Sequence, residues 1–178
     1  MAVLRDTFIR KYTQAIREGN AGIFAGAGLS RASGYVDWKN LLRPLAKEVE
    51  LDIEKEKDLL SVAQYYRNES GTRGGINQEI LNAFNAEVSE NENVEIISRL
   101  PISTYWTTNY DKLIEKELEK KNRKADVKMD SDQLSTVLRD RDAVVYKMHG
   151  DVDHPAHAVL TKDDYVLYDK KDHFLEQF

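Results

Sequence analysis

Three short stretches carry the side chains that could do chemistry. Gly26-Ala27-Gly28 with Ser30 follows an apolar run, Thr107-Thr108-Asn109 with Asp111 follows a second, and His149-Gly150-Asp151 follows a third. A glycine turn at the end of a strand brings backbone N–H groups close to a phosphate-bearing ligand. An amide and a carboxylate can hydrogen-bond sugar hydroxyls or a carboxamide. A histidine titrating near neutrality can serve as a general base. Each group also has a purely structural reading. Asn109 and Asp111 are both good helix N-caps, Thr107 and Thr108 can simply end a strand, and His149 before Gly150 can be a turn histidine. The glycine turn is not a strict G-x-G-x-x-G, because Arg31 stands where a small residue is needed, and the absence of G-K-[ST] excludes a P-loop.

These groups can converge only if the strands that carry them lie parallel. Ligands of open α/β sheets bind beyond the carboxyl ends of the strands. The patterning agrees. A helix is expected over 2–18, with Leu4, Phe8, Ile9, Tyr12, Ala15 and Ile16 at helical spacing, and Gly19-Asn20 ends it. A short buried strand through Ile23 and Phe24 follows. Asp37 is placed to cap a helix from Trp38, in which Pro44 would be tolerated only near the first turn. Further helices are expected at 55–68, 76–87 and 92–99, with a flexible loop at 69–75. Pro101 to Thr108 reads as the second strand. A charged helix covers about 112–121, with Glu117 and Lys121 spaced as an i,i+4 pair. Residues 125–128 and 143–148 read as strands, 158–161 as a last short strand, and Asp163-Asp164-Tyr165 opens a helix. The alternation predicts a Rossmann-like parallel α/β sheet covered by helices on both faces, with an inserted helical subdomain over about 38–99 lying on one edge of the sheet.

Composition narrows the function classes. The 178 residues make one domain, 41% hydrophobic and 32% charged. A net charge of −5 argues against broad nucleic-acid or anionic-membrane binding. No run of 18 apolar residues exists and Met1 to Asp6 has no apolar h-region, so a cytoplasmic protein without a membrane span is expected. Zero cysteines exclude disulfides, thiolate zinc and cysteine nucleophiles. Asp151, Asp153, His154 and His157 follow no strong ligand spacing, so no metal is expected.

Taken together, Phe24 to Ser30 with Ser33 to Trp38, Thr107-Thr108-Asn109-Tyr110-Asp111, and Lys147-Met148-His149-Gly150 resemble, in order and spacing, the nucleotide-binding opening, the T-Q-N-I-D segment and the His-Gly motif of sirtuins and SIR2-like proteins. Two departures point to a bacterial NAD-consuming branch. Thr108 replaces the glutamine, and no cysteine-ligated zinc module follows His149. The stretches 105–108 and 142–151 are similar to the SIR2 effectors of the Thoeris anti-phage system. The resemblance implies hydrolysis of NAD+ to nicotinamide and ADP-ribose. It implies that Gly26, Ala27 and Gly28 take the pyrophosphate, with contacts from Ser30 and Arg31. It assigns Asp37, Thr107 and Thr108 to the nucleotide site as well. Asn109 would position the nicotinamide ribose and the water, Asp111 the carboxamide, and His149 would act as base. A sirtuin-type NAD-dependent deacylase and a non-catalytic nucleotide-binding or oligomerisation module are the alternatives. The resemblance further implies a homo-oligomer, a nucleotide-signal sensor domain outside this chain, and a SIR2-like domain over 1–178 that is truncated after Glu176-Gln177-Phe178.

Overall fold

A computed structural model describes residues 4–170. The sheet has four parallel strands, β1 (Gly22–Ala25), β2 (Thr104–Thr107), β3 (Ala125–Lys128) and β4 (Ala143–Lys147), in the order β1-β2-β4-β3. Its register puts Ala25, Thr107 and Lys147 in one row at the carboxyl ends. All three chemical stretches therefore leave the sheet at the same end. Because side chains alternate along a strand, Ile23, Tyr105, Val145 and Val127 share one face. They pack with Tyr12, Ala15 and Ile16 of α1 (Arg5–Arg17) and with Ile114 and Leu118 of α7 (Leu113–Lys120). Tyr105, Val145 and Leu118 are fully enclosed there, and burial of a side chain such as Leu118 is worth about 1.5–3 kcal/mol.

Phe24, Trp106 and Tyr146 lie on the opposite face, where the last two rings stack at 4.1 Å. The first strand is less buried than expected, since Phe24 is 66% exposed. It points away from the α1 and α7 layer, and β1 is an outer strand of the described sheet. The amino-terminal half of α1 also stands clear, with Leu4, Phe8 and Ile9 exposed. Residues 2 and 3 of the expected first helix, and residues 171–178, lie outside the described residues.

The helical insertion comprises α3 (Trp38–Glu48), α4 (Leu59–Ser70), α5 (Gly74–Phe84) and α6 (Glu92–Arg99). The starts of α3, α4 and α6 follow capping chemistry. Asp37 accepts from the Asn40 amide, Asp58 from Ser61, and Asn91 from Asn93 and Val94. The cap at Asp58 explains why α4 begins at Leu59 and not near residue 55. Leu41, Leu42, Leu45, Val62, Ile76, Ile80 and Val94 form the core of this layer with Tyr110, Leu113, Val152, Ala158 and Leu160. None of these is a strand residue. The insertion thus covers the loops at the carboxyl ends of the strands, not a sheet edge, and so roofs the region where the chemical stretches emerge.

Several local expectations change. Pro44 sits in the interior of α3. It removes an N–H that would have served the Asn40 carbonyl, and both residues lie on the exposed side, where water can take the place of that bond. The loop expected at 69–75 contracts to residues 71–73, between the end of α4 and the start of α5. Gly71 supplies the left-handed turn with φ +66°. Arg73 is anchored, donating to Asp164 at 2.6 Å and to the Ala158 carbonyl. Residues 158–161 are buried but are not a strand. Their amides go to the His149 carbonyl (from Val159) and to the Asp164 carboxylate (from Leu160 and Thr161), so no ladder forms. Glu117 pairs with Lys120 and Lys121 with Glu95, in place of the expected Glu117–Lys121 pair. The helix expected from Asp163 is α8 (Lys162–Lys170), preceded by a 3₁₀ turn at Pro155–His157.

Candidate functional site

The strand β1 runs through Gly26 into the short helix α2 (Ala27–Arg31). A Cβ built on Gly26 or Gly28 would meet no atom within 4 Å, and neither has a positive φ. The protein itself therefore does not require glycine at either position. The space they leave is open for something else. On α2, Ser30 turns inward and is 4% exposed.

The loop after β2 is held to Ser30 by a chain of bonds whose directions are dictated by chemistry. Asp111 as carboxylate only accepts. Its Oδ1 takes the Leu113 amide at 3.0 Å, at the start of α7, and its Oδ2 takes the Ser30 hydroxyl at 2.6 Å. The Ser30 oxygen, having spent its proton, accepts from Asn109 Nδ2 at 2.7 Å. The amide nitrogen of Asn109 is thereby committed to Ser30, and Oδ1 is the end that can accept a ligand hydroxyl or water. The Asn109 backbone N–H bonds Thr107 Oγ1 at 3.0 Å, so the Thr107 hydroxyl shapes the loop.

His149 lies on the turn after β4. Gly150 has φ +90°, and a Cβ there would come within 3.1 Å of Ala158 Cα, so both conformation and space call for glycine. The imidazole is flanked edge-on by Tyr165 and Tyr168 of α8 at ring distances of 5.5 and 6.2 Å. Burial pushes its pKa below 6.5, which keeps the ring neutral and able to accept a proton.

A cleft of about 200 Å³ opens between these elements. Of the residues singled out from sequence, Ala27, Ser30, Thr108, Asn109, Asp111 and His149 line it. Gly26 and Gly28 flank Ala27 without lining it. Arg31 is exposed, Asp37 caps α3, and Thr107 is buried beneath the loop. Val36, Trp38, Phe84 and Tyr110 complete the lining and were not singled out. Trp38 and Tyr110 lie inside the motifs and could have been found by their aromatic character. Phe84 comes from α5, 24 residues before Thr108, with no local signal. It packs against Tyr35 and Tyr110, each at 5.5 Å, and adds aromatic surface to the cleft. A larger, shallower groove of about 450 Å³, lined by Glu48, Tyr65 and Tyr66 among others, contains none of the motif residues. Among the described residues, no group of three or more His, Asp or Glu side chains could hold a metal ion, and no helix is long and apolar enough to cross a membrane.

A parallel α/β sheet whose strand ends present a glycine turn, an Asn–Asp loop and a His–Gly turn to one cleft is an open α/β domain of the Rossmann-like class. Within that class, this chain belongs to the SIR2-like family, and its residues 103–178 match the SIR2-like domain. It is 59% identical over 167 residues to a protein of Bacillus cereus (strain MSX-D12) named NAD(+) hydrolase ThsA, covering 93% of this chain and 35% of that protein. Proteins of the same name from Cytobacillus dafuensis and Enterococcus faecium are 49% and 48% identical, covering 94% and 93% of this chain and 34% and 35% of those proteins. The chain spans about a third of the length of the curated relatives it matches.

Proposed function

We propose that this chain is the NAD+-cleaving domain of an anti-phage defence effector, hydrolysing NAD+ to nicotinamide and ADP-ribose. The observation that carries the reading is that Asn109, its amide oriented by Ser30, and His149 line one cleft together with Trp38, Phe84 and Tyr110. The similarity to proteins named NAD(+) hydrolase supports it. In this reading the pyrophosphate lies over Gly26, Ala27 and Gly28, with Arg31 at the outer rim, and the nicotinamide ribose lies against Asn109. The C1′–N1 bond breaks and its electrons neutralise the departing nicotinamide ring. The sugar passes through an oxocarbenium-like state. Water adds to C1′, its approach oriented by Asn109 Oδ1, and His149 accepts the proton. The protein works as an assembly of copies in the cytoplasm, with a nucleotide-signal sensor domain outside this chain.

The test is nicotinamide release from NAD+ by the protein at its natural length. Wild-type release, with loss of about 10²–10⁴-fold for His149→Ala and for Asn109→Ala, supports the reading. Full release by both variants would sink the site assignment. Release that depends on an added acyl-lysine peptide would move the function to deacylation.

A further inference from the structure

The Lys147 ammonium is wholly enclosed at the carboxyl end of β4, with 0% exposure, and no step above uses it. It lies in the row with Ala25 and Thr107, where an apolar side chain would satisfy the sheet. Four oxygens from other residues meet it there. It donates to the Tyr110 carbonyl at 3.2 Å, to the Asp111 carbonyl and to Glu115 Oε1 at 3.1 Å, and it is ion-paired with Asp151 Oδ2 at 2.6 Å. The side chains of Asp151 and Glu115 are 4% and 15% exposed. Asp151 Oδ1 in turn caps the Asp153 amide at 2.8 Å.

These acceptors belong to different parts of the site. Tyr110 and Asp111 are in the loop that carries Asn109, and Glu115 is on the helix that continues from it. Asp151 is in the turn that carries His149. A buried ion pair is a poor way to gain stability, because desolvation offsets most of the attraction and an apolar side chain of equal volume does as well or better. What an ammonium does that an apolar group cannot is hold several oxygens from separate segments at fixed distances. The Val152 amide adds a parallel tie to the Tyr110 carbonyl at 3.0 Å.

We infer that Lys147 is a positioning residue that cross-links the Asn109 loop to the His149 turn and sets the separation of the two reacting side chains. The inference rests on the NAD+-cleavage reading for its catalytic consequence, but not for the cross-link. Two variants test it in the protein at its natural length. Lys147→Met removes the ammonium, and Lys147→Met/Glu115→Gln/Asp151→Asn removes all three charges so that no carboxylate is left buried without a partner. Turnover per folded molecule, KM for NAD+, and amide hydrogen exchange at 107–115 and 147–153 are measured in each. Turnover should fall about 10²-fold, the effect of roughly 1 Å of misplacement, with KM nearly unchanged. Both segments should exchange faster together while α4 and α5 keep their protection. A folded triple variant with wild-type turnover overturns the inference, as does a lower melting temperature with undiminished turnover per folded molecule. Unchanged exchange in either segment overturns the cross-link even if wild-type protein releases no nicotinamide, an outcome that counts against the NAD+ reading alone.

Discussion

Ser30 and Asp111, 81 positions apart in sequence, are joined by a hydroxyl-to-carboxylate hydrogen bond of 2.6 Å between side chains that are each 4% exposed. The bond fixes the direction of the next one. Since the hydroxyl proton goes to Asp111, Ser30 must accept from Asn109 Nδ2. Both residues line the cleft, and the bond between them also orients Asn109.

Replacing Ser30 with alanine should release that orientation. Turnover is expected to fall about 10²-fold, with a smaller change in KM, because the amide remains but is free to rotate. Asp111→Asn should act in the same direction, since an amide at 111 no longer compels the hydroxyl to donate. Steady-state nicotinamide release checks both. A Ser30→Ala protein with native turnover and raised KM would instead identify Ser30 as a ligand contact.

The burial of His149 sets a pH dependence. Its folded pKa lies below 6.5, so the neutral base persists into mildly acidic solution. The acid limb of kcat/KM, which reports the free protein, is expected to fall below pH 6.5. Stability follows the same sign. The contribution from keeping the ring neutral is fully present above 6.5 and is lost as pH falls through the folded pKa. A kcat/KM profile with its acid midpoint at or above 6.5 would contradict the assignment of His149 as base.

Gly26 and Gly28 separate folding from binding. With no atom within 4 Å of an added Cβ, Gly28→Ala on α2 should leave the melting temperature unchanged or slightly raised, since alanine is favoured over glycine in a helix by roughly 1 kcal/mol. NAD+ affinity, measured by calorimetry on a catalytically impaired background, should fall. Equal affinity in the variant would remove the glycine turn from the site.

Arg73 and Asp164 hold the helical layer to α8, whose Tyr165 and Tyr168 flank His149. Their side chains are 14% and 13% exposed. Burial works to raise the Asp164 pKa, yet Arg73 and the Thr161 and Leu160 amides outweigh it and hold the carboxyl below 3.8. Asp164→Ala is expected to cost about 3 kcal/mol, as for breaking a buried pair from one side, read by urea denaturation. In the wild type this contribution is present above pH 3.8 and lost as pH falls through the folded value. A variant within about 0.5 kcal/mol of wild type, the range of ordinary surface changes, would show that the contact is not structural.

Much of this was legible because it is local. The β-forming runs at 104–107 and 143–147, the capping residue Asp37, and polar residues placed just past apolar runs depend on neighbours a few positions away. The sequence by itself therefore determined a parallel α/β sheet, a helical insertion, and three chemical stretches bound for one end of the sheet. The tertiary structure alone decided the rest, because those outcomes depend on partners distant in sequence. Arg73 turned an expected flexible loop into an anchor. Asp164 and His149 took the amides that would have made 158–161 a strand. Phe84 arrived from α5 to wall the cleft, and Lys147, which reads as an ordinary strand residue, became the enclosed charge between Asn109 and His149. A side chain's type states which bonds it can make. Only the packed chain states which partners are within 3 Å to make them.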